Sequence, residues 1–149
     1  RAHPQGRVIY TLDTNVIVDA LRQPEELNRL KAFLSWALPA TVLSSVVAAE
    51  LTIGARTNRA RRALDDLLLA AFDRRGRILA PSAAAWRKAG AVLGRTGTSG
   101  LSASRQNDAL LATQARERGW TVVTRDRDLH ALRSLVSGLQ VASPFPGRR

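Results

Sequence analysis

The chain has 149 residues, 45% of them hydrophobic, and a formal net charge of +11 from 23 basic and 12 acidic side chains. That length suits one domain able to bury roughly two-thirds of its unfolded surface, and no repeat or linker divides it. With no cysteine and only His3 and His130 as imidazoles, disulfides and thiolate metal sites are excluded and composition argues against zinc.

No apolar run approaches the ~18 residues of a membrane span, and the charged, proline-containing start lacks the pattern of a signal peptide, so a cytoplasmic protein is expected. Residues 1–6, without a methionine, read as a processed or appended end, and 143–149 as a tail. The basic excess is almost wholly arginine, concentrated in 56–62, 74–77 and 116–133. A GC-rich coding bias accounts for the arginine-to-lysine ratio, but the positive sum itself calls for a polyanionic partner.

In chain order, the β-branched and aromatic run 8–12 predicts a strand. Asp13 or Thr14 then caps a helix to about residue 21. Pro24 opens a second helix, with Glu25 and Glu26 set against its dipole. A strand over 41–44 leads into a helix over 45–55. Asn58 caps a helix over 59–72 with Leu64, Leu67, Leu68 and Ala71 on its apolar side. Residues 77–80 form an edge strand or a link, and Pro81 begins a helix that includes Trp86 and Leu93. The low-complexity stretch GRTGTSGLSAS, 94–104, reads as a flexible connection in preference to a flap over substrate. A helix over 105–118, a strand over 120–124, a short helix over 127–135 and a last strand over 139–141 complete the chain. This alternation predicts an α/β domain on a parallel sheet of four to five strands, whose helices start at the carboxyl edge of the strands.

Four acids fall on that edge. Asp13 and Asp126 follow strands directly, Glu50 lies within the first two turns of its helix, and Asp108 within about the first turn of another. Glu50 sits at helical spacing from Val46, Val47 and Ile53, and Asp108 from Leu111 and Ala112, so both share an apolar stripe. A carboxylate there either neutralises or finds a cation. No basic residue stands three or four positions from Glu50, whereas Arg105 stands three before Asp108. An all-oxygen donor set suits Mg2+ or Mn2+.

Simpler readings compete. Asp13 and Asp126 taken singly are more often helix caps, and Asp128 rivals Asp126 for the fourth position. Asp19 can pair with Arg22, and Asp65 and Asp66 with Arg61 and Arg62. Trp36, Trp86 and Trp120 are expected as core or interface anchors and His130 as a surface or cap residue.

The segments Ile9-Tyr10-Thr11-Leu12-Asp13-Thr14-Asn15-Val16-Ile17, Ser44-Ser45-Val46-Val47-Ala48-Ala49-Glu50-Leu51, Asn107-Asp108-Ala109-Leu110-Leu111-Ala112 and Val122-Val123-Thr124-Arg125-Asp126 together resemble the successive motifs of PIN-domain ribonucleases. Size and the lack of extra domains resemble the VapC toxins of bacterial type II toxin-antitoxin pairs. The resemblance implies a PIN-like three-layer α/β/α fold and metal binding by Asp13, Glu50, Asp108 and Asp126. It also implies supporting polar roles for Thr14, Asn15 and Thr124, and Mg2+ or Mn2+ as cofactor, as one ion or two. RNA would be the substrate, cut to a 3′-hydroxyl and a 5′-phosphate.

The resemblance further implies a homodimer and a cognate antitoxin in a groove among helices 14–21, 25–38 and 45–72. The segment Asp126-Arg127-Asp128-Leu129 departs from the many relatives with an aromatic after the last acid. A non-catalytic RNA-binding PIN module would need the basic surface but not all four acids. A phosphoacceptor receiver domain would need an Asp after a middle strand and a Lys near the last, and neither is present.

Overall fold

Residues 6–96 and 103–148 are described by the computed structural model. Tyr10 and Leu12 are buried on the central strand β1 (Ile9–Leu12), with Thr11 between them, so the strand is covered on both faces. It pairs in parallel with β2 (Thr41–Ser44) through Tyr10 opposite Thr41, and with β4 (Trp120–Val123) through Ile9 opposite Trp120. The edges are β3 (Ile78–Leu79) beside β2 and β5 (Gln140–Ala142) beside β4. The sheet therefore has five parallel strands in the order β3-β2-β1-β4-β5.

Parallel strands need long crossovers, and helices supply them. Between β1 and β2 run α1 (Thr14–Arg22), capped by Asp13, and α2 (Pro24–Ala37), opened by proline. Between β2 and β3 run α3 (Ser45–Gly54), α4 (Asn58–Leu64) and α5 (Ala70–Arg74), the last two joined through a wider-wound turn, Asp65–Leu69. The helices α6 (Ala83–Arg95) and α7 (Ala103–Arg118) lead to β4, and α8 (Arg127–Ala131) leads toward β5. Right-handed crossovers place the first group of helices on one face of the sheet and the second on the other. The strand order reverses direction between β1 and β4. In such sheets the crevice at the carboxyl ends of the two diverging strands is where ligands bind.

One main cluster of buried side chains unites the layers, among them Leu12, Ile17, Leu30, Leu43, Phe72, Leu111, Val122 and Leu129. Tyr10, Phe33 and Trp36 meet edge to face, with centroids 5.2–6.1 Å apart, and fix α2 to the sheet. Trp120 is also core, at 4% exposure, whereas Trp86 is 61% exposed and lies outside the buried core.

Several boundaries differ from the sequence expectation. The helix carrying Asp108 starts at Ala103 and not near residue 105, which puts Asp108 in the second turn. Thr57, not Asn58, caps α4, its hydroxyl accepting from Ala60 N. The strand β5 begins one residue later than expected, with Leu139 buried just before it. Ile53 is 75% exposed, so it lies off the buried stripe of α3. Of the Gly/Ser-rich stretch, residues 97–102 lie outside the described residues, while Gly94 and Arg95 finish α6 and Ala103 and Ser104 open α7.

Candidate functional site

Asp13 stands where β1 ends and is only 4% exposed. Its backbone N–H donates to Val123 O at 3.0 Å, so the residue extends the β1–β4 ladder and its side chain opens at the point where these strands part. Three donors grip the carboxylate: Thr14 N at 2.8 Å on Oδ1, and Thr124 Oγ1 at 2.8 Å and Asn15 Nδ2 at 3.2 Å on Oδ2. Asn15 Nδ2 also donates to Thr124 Oγ1 at 3.0 Å, and Asn15 Oδ1 accepts from Arg125 N at 3.1 Å. Asn15 thus ties the turn after β1 to the turn after β4.

The remaining acids reach this knot from both sides. Thr14 Oγ1 donates to Glu50 Oε1 at 2.8 Å, joining the half-buried Glu50 of α3 to the start of α1. Asp126 N donates to Thr124 Oγ1 at 2.9 Å, and Asp126 Oδ1 accepts from Asp128 N at 2.8 Å, so Asp126 also caps α8. Asp108, half-buried on α7, joins the group through charge.

The electrostatics show how crowded these acids are. Burial pushes the Asp13 carboxyl above its usual range, opposed by the hydrogen bonds from Thr124 and Thr14, with the charges of Glu50 and Asp126 adding to the rise. Asp108 is raised to about 7, first by burial and then by Asp13, Asp126, Glu50 and Asp128. The charge of Asp128, which is exposed, raises Asp108. The charge of Asp126 raises both Asp13 and Asp108, and its backbone N–H shares the Thr124 hydroxyl that bonds Asp13.

Among the described residues, no three acids or imidazoles already converge on one point as a metal cage. Each carboxylate nearest the middle is turned toward a hydroxyl, amide or backbone N–H. The donor chemistry nevertheless fits a hard divalent cation: oxygen only, negative charge concentrated on a chain of net charge +11, and two carboxyls whose ionisation is opposed by their neighbours.

Several nearby residues take roles that differ from the sequence expectation or go beyond it. Arg125 does not stand apart as one more basic side chain: its Nε lies 2.8 Å from Asp19 Oδ2 and its guanidinium also meets Glu26 Oε2. Asp19 therefore pairs with Arg125 and not with Arg22, and Glu26 clamps the β4–α8 turn as well as facing the α2 dipole. Gln114 is 1% exposed and bridges Ser44 Oγ, which donates to its Oε1, and Leu79 O, which accepts from its Nε2 at 2.8 Å. Ser44 is the cap of α3, so this bond sets α3, bearing Glu50, against α7, bearing Asp108. A polar residue on the apolar stripe of a helix was the available signal. His130 is half-buried in the last turn of α8, with Nε2 3.4 Å from Thr124 O, so it folds back on the β4–α8 turn.

The raised Asp108 carboxyl makes a signed prediction. Because its folded pKa near 7 exceeds the unfolded 3.8, the folded state holds the proton more tightly, and this contribution is present below about pH 4 and lost as pH rises to 7. In EDTA, Asp108→Asn should gain on wild type by about 1–2 kcal/mol between pH 4 and pH 8, after discounting for partial exposure. Thermal melts across that range check it, and a wild-type-to-variant difference independent of pH would contradict it.

The comparisons with known proteins agree with this fold. No curated protein sequence matches the chain. Among solved structures, FitAB bound to an IR36 DNA fragment is similar with a TM-score of 0.66 at 22% identity, over 95% of this chain and 99% of that one. DNA-bound VapBC from Salmonella typhimurium gives 0.65 at 24% identity, over 93% and 100%. VapBC-1 from nontypeable Haemophilus influenzae gives 0.63 at 22% identity, over 91% and 98%. At these identities the likeness speaks for the fold. The PIN domain matches by sequence over residues 10–135, from the central strand to the turn after α8. The chain belongs to the PIN-domain family.

Proposed function

We propose that this protein is a VapC-type toxin, a Mg2+- or Mn2+-dependent endoribonuclease that hydrolyses RNA phosphodiester bonds. The observation that carries the reading is the gathering of Asp13, Glu50, Asp108 and Asp126, from four separate segments, around one sheet crevice. A solely RNA-binding module would gain nothing from mutually repelling carboxylates facing a polyanion. The exposed Arg127, between Asp126 and Asp128, and the exposed Arg133, in the turn after α8, add positive charge suited to backbone phosphates on this side of the domain.

In this reading Asp13 and Asp108 are direct ligands, and Glu50 and Asp126 complete the donor set or orient the attacking water. The bound cation supplies Lewis acidity toward the phosphate and lowers the pKa of water. Thr124, Asn15 and Thr14 hold the carboxylates in register, as supporting donors do around metal ligands generally. Attack on phosphorus with loss of the 3′-oxygen leaves a 3′-hydroxyl and a 5′-phosphate.

A cognate antitoxin and a homodimer belong to the same proposal. One structure of similar fold is a toxin-antitoxin complex from Klebsiella pneumoniae, with a TM-score of 0.57. In the helices expected to form the groove, Leu21 is 43% and Ile53 75% exposed, apolar surface suited to a protein partner.

Purified protein incubated with total RNA and Mn2+ should produce discrete new 5′-phosphate ends. The Asp13→Asn and Asp108→Asn variants should each lower the rate by about 100-fold or more. Ends that persist unchanged in both variants would contradict the assignment. The product of a neighbouring small gene should co-purify with the chain and suppress cleavage, and a monomer that spares growth when expressed alone would contradict the toxin reading.

A further inference from the structure

A cavity of about 350 Å3 adjoins the acidic crevice at Asp108, lined by α6, α7, α8 and the turn after it. Its volume lies at the lower end of the ~300–1,000 Å3 typical of small-ligand sites, suiting a ligand of one ring system. Val92, Leu93, Leu132 and Leu135 give it apolar walls, and Asp108 links it to the crevice. Asp128 and Arg105 also line it, whereas Asp126 does not. Two neighbouring acids after β4 are thereby divided. Asp126 turns inward to the Thr124 and Asp13 group, and Asp128 faces the cavity.

We propose that this cavity is a base-binding subsite that selects guanine in the RNA strand next to the scissile phosphate, with Asp128 as the selecting residue. The proposal rests on the nuclease reading. A flat heterocycle fits between aliphatic walls, and single-stranded RNA is the form whose bases can swing out into such a pocket. A carboxylate only accepts hydrogen bonds and has two oxygens with which to do so. Guanine alone among the four bases offers two adjacent donors, N1–H and the 2-amino group, on one edge. Adenine and cytosine offer an amino group beside an acceptor, and uracil a single imino donor. Asp128 is exposed, so its replacement leaves the fold in place.

The test uses nine-nucleotide oligouridylates with one central guanosine, inosine or adenosine. Their binding to the full chain is read by fluorescence anisotropy in Ca2+, and their cleavage is mapped separately in Mn2+. Inosine lacks only the 2-amino group. Guanosine should bind about tenfold tighter than inosine or adenosine, and cuts should fall at a fixed offset from it. The Asp128→Asn variant should bring the three within about twofold. Ser134→Trp, which fills the cavity from an exposed position on its lining, should remove the guanosine advantage as well. Equal binding of the three oligomers to wild type, or a preference surviving Asp128→Asn, would overturn the subsite. Cleavage without base preference would overturn the subsite and leave the nuclease reading standing. Preference without cleavage would overturn the nuclease reading and, with it, the place of the subsite beside a scissile phosphate.

Discussion

The site depends on a buried carboxylate placed where two parallel strands part company. Asp13 is 4% exposed yet meets its polar neighbours through side chains and backbone from both strand ends. Burying such a group costs several kcal/mol unless it is hydrogen-bonded or paired with a cation. Three hydrogen bonds offset part of that cost, and the raised pKa shows that part of it remains. The remainder is what a divalent ion would relieve.

The surrounding polar groups are better understood as supports than as independent features. Asn15 makes one bond to each of Asp13 and Thr124 and receives one from Arg125 N, so a single side chain fixes the spacing of the two strand ends. Arg125 anchors the same turn to α1 and α2 through Asp19 and Glu26. On the other side, Gln114 and Ser44 lock α7 to the start of α3. These ties hold two loops and two helices in place against the repulsion among the acids they carry. Rigid elements positioned by such bonds can keep like charges close, which free loops could not.

How much of this the sequence made legible follows from the range of each interaction. The strands, most helices and the carboxyl-edge position of Asp13, Glu50, Asp108 and Asp126 rest on local periodicity and on the handedness of parallel crossovers, so they could be read from short windows. The strand order could not, because placing β4 beside β1 is a matter of tertiary pairing; only the sheet shows that Asp13 and Thr124 face one another at the reversal of direction. Helical spacing points Asp19 to Arg22 because helical neighbours are visible in sequence, whereas its partner Arg125 lies more than a hundred residues away. Gln114 gave the same signal as Glu50, a polar group among apolar neighbours, and it escaped notice because an amide carries no charge to explain. Ile53 misled in the opposite sense: its hydrophobicity suggested a buried stripe, and the fold leaves it in solvent.

The central claim is that carboxylates distant in sequence act as one cation-binding unit. Thermal melting in EDTA and in saturating Mn2+ tests it most directly, since binding to the folded state alone adds about 2.7 kcal/mol at a hundredfold excess over Kd. Wild type should melt higher with Mn2+, and Asp13→Asn and Asp108→Asn should each lose most of that rise. Identical melting temperatures of wild type in EDTA and Mn2+ would contradict the account.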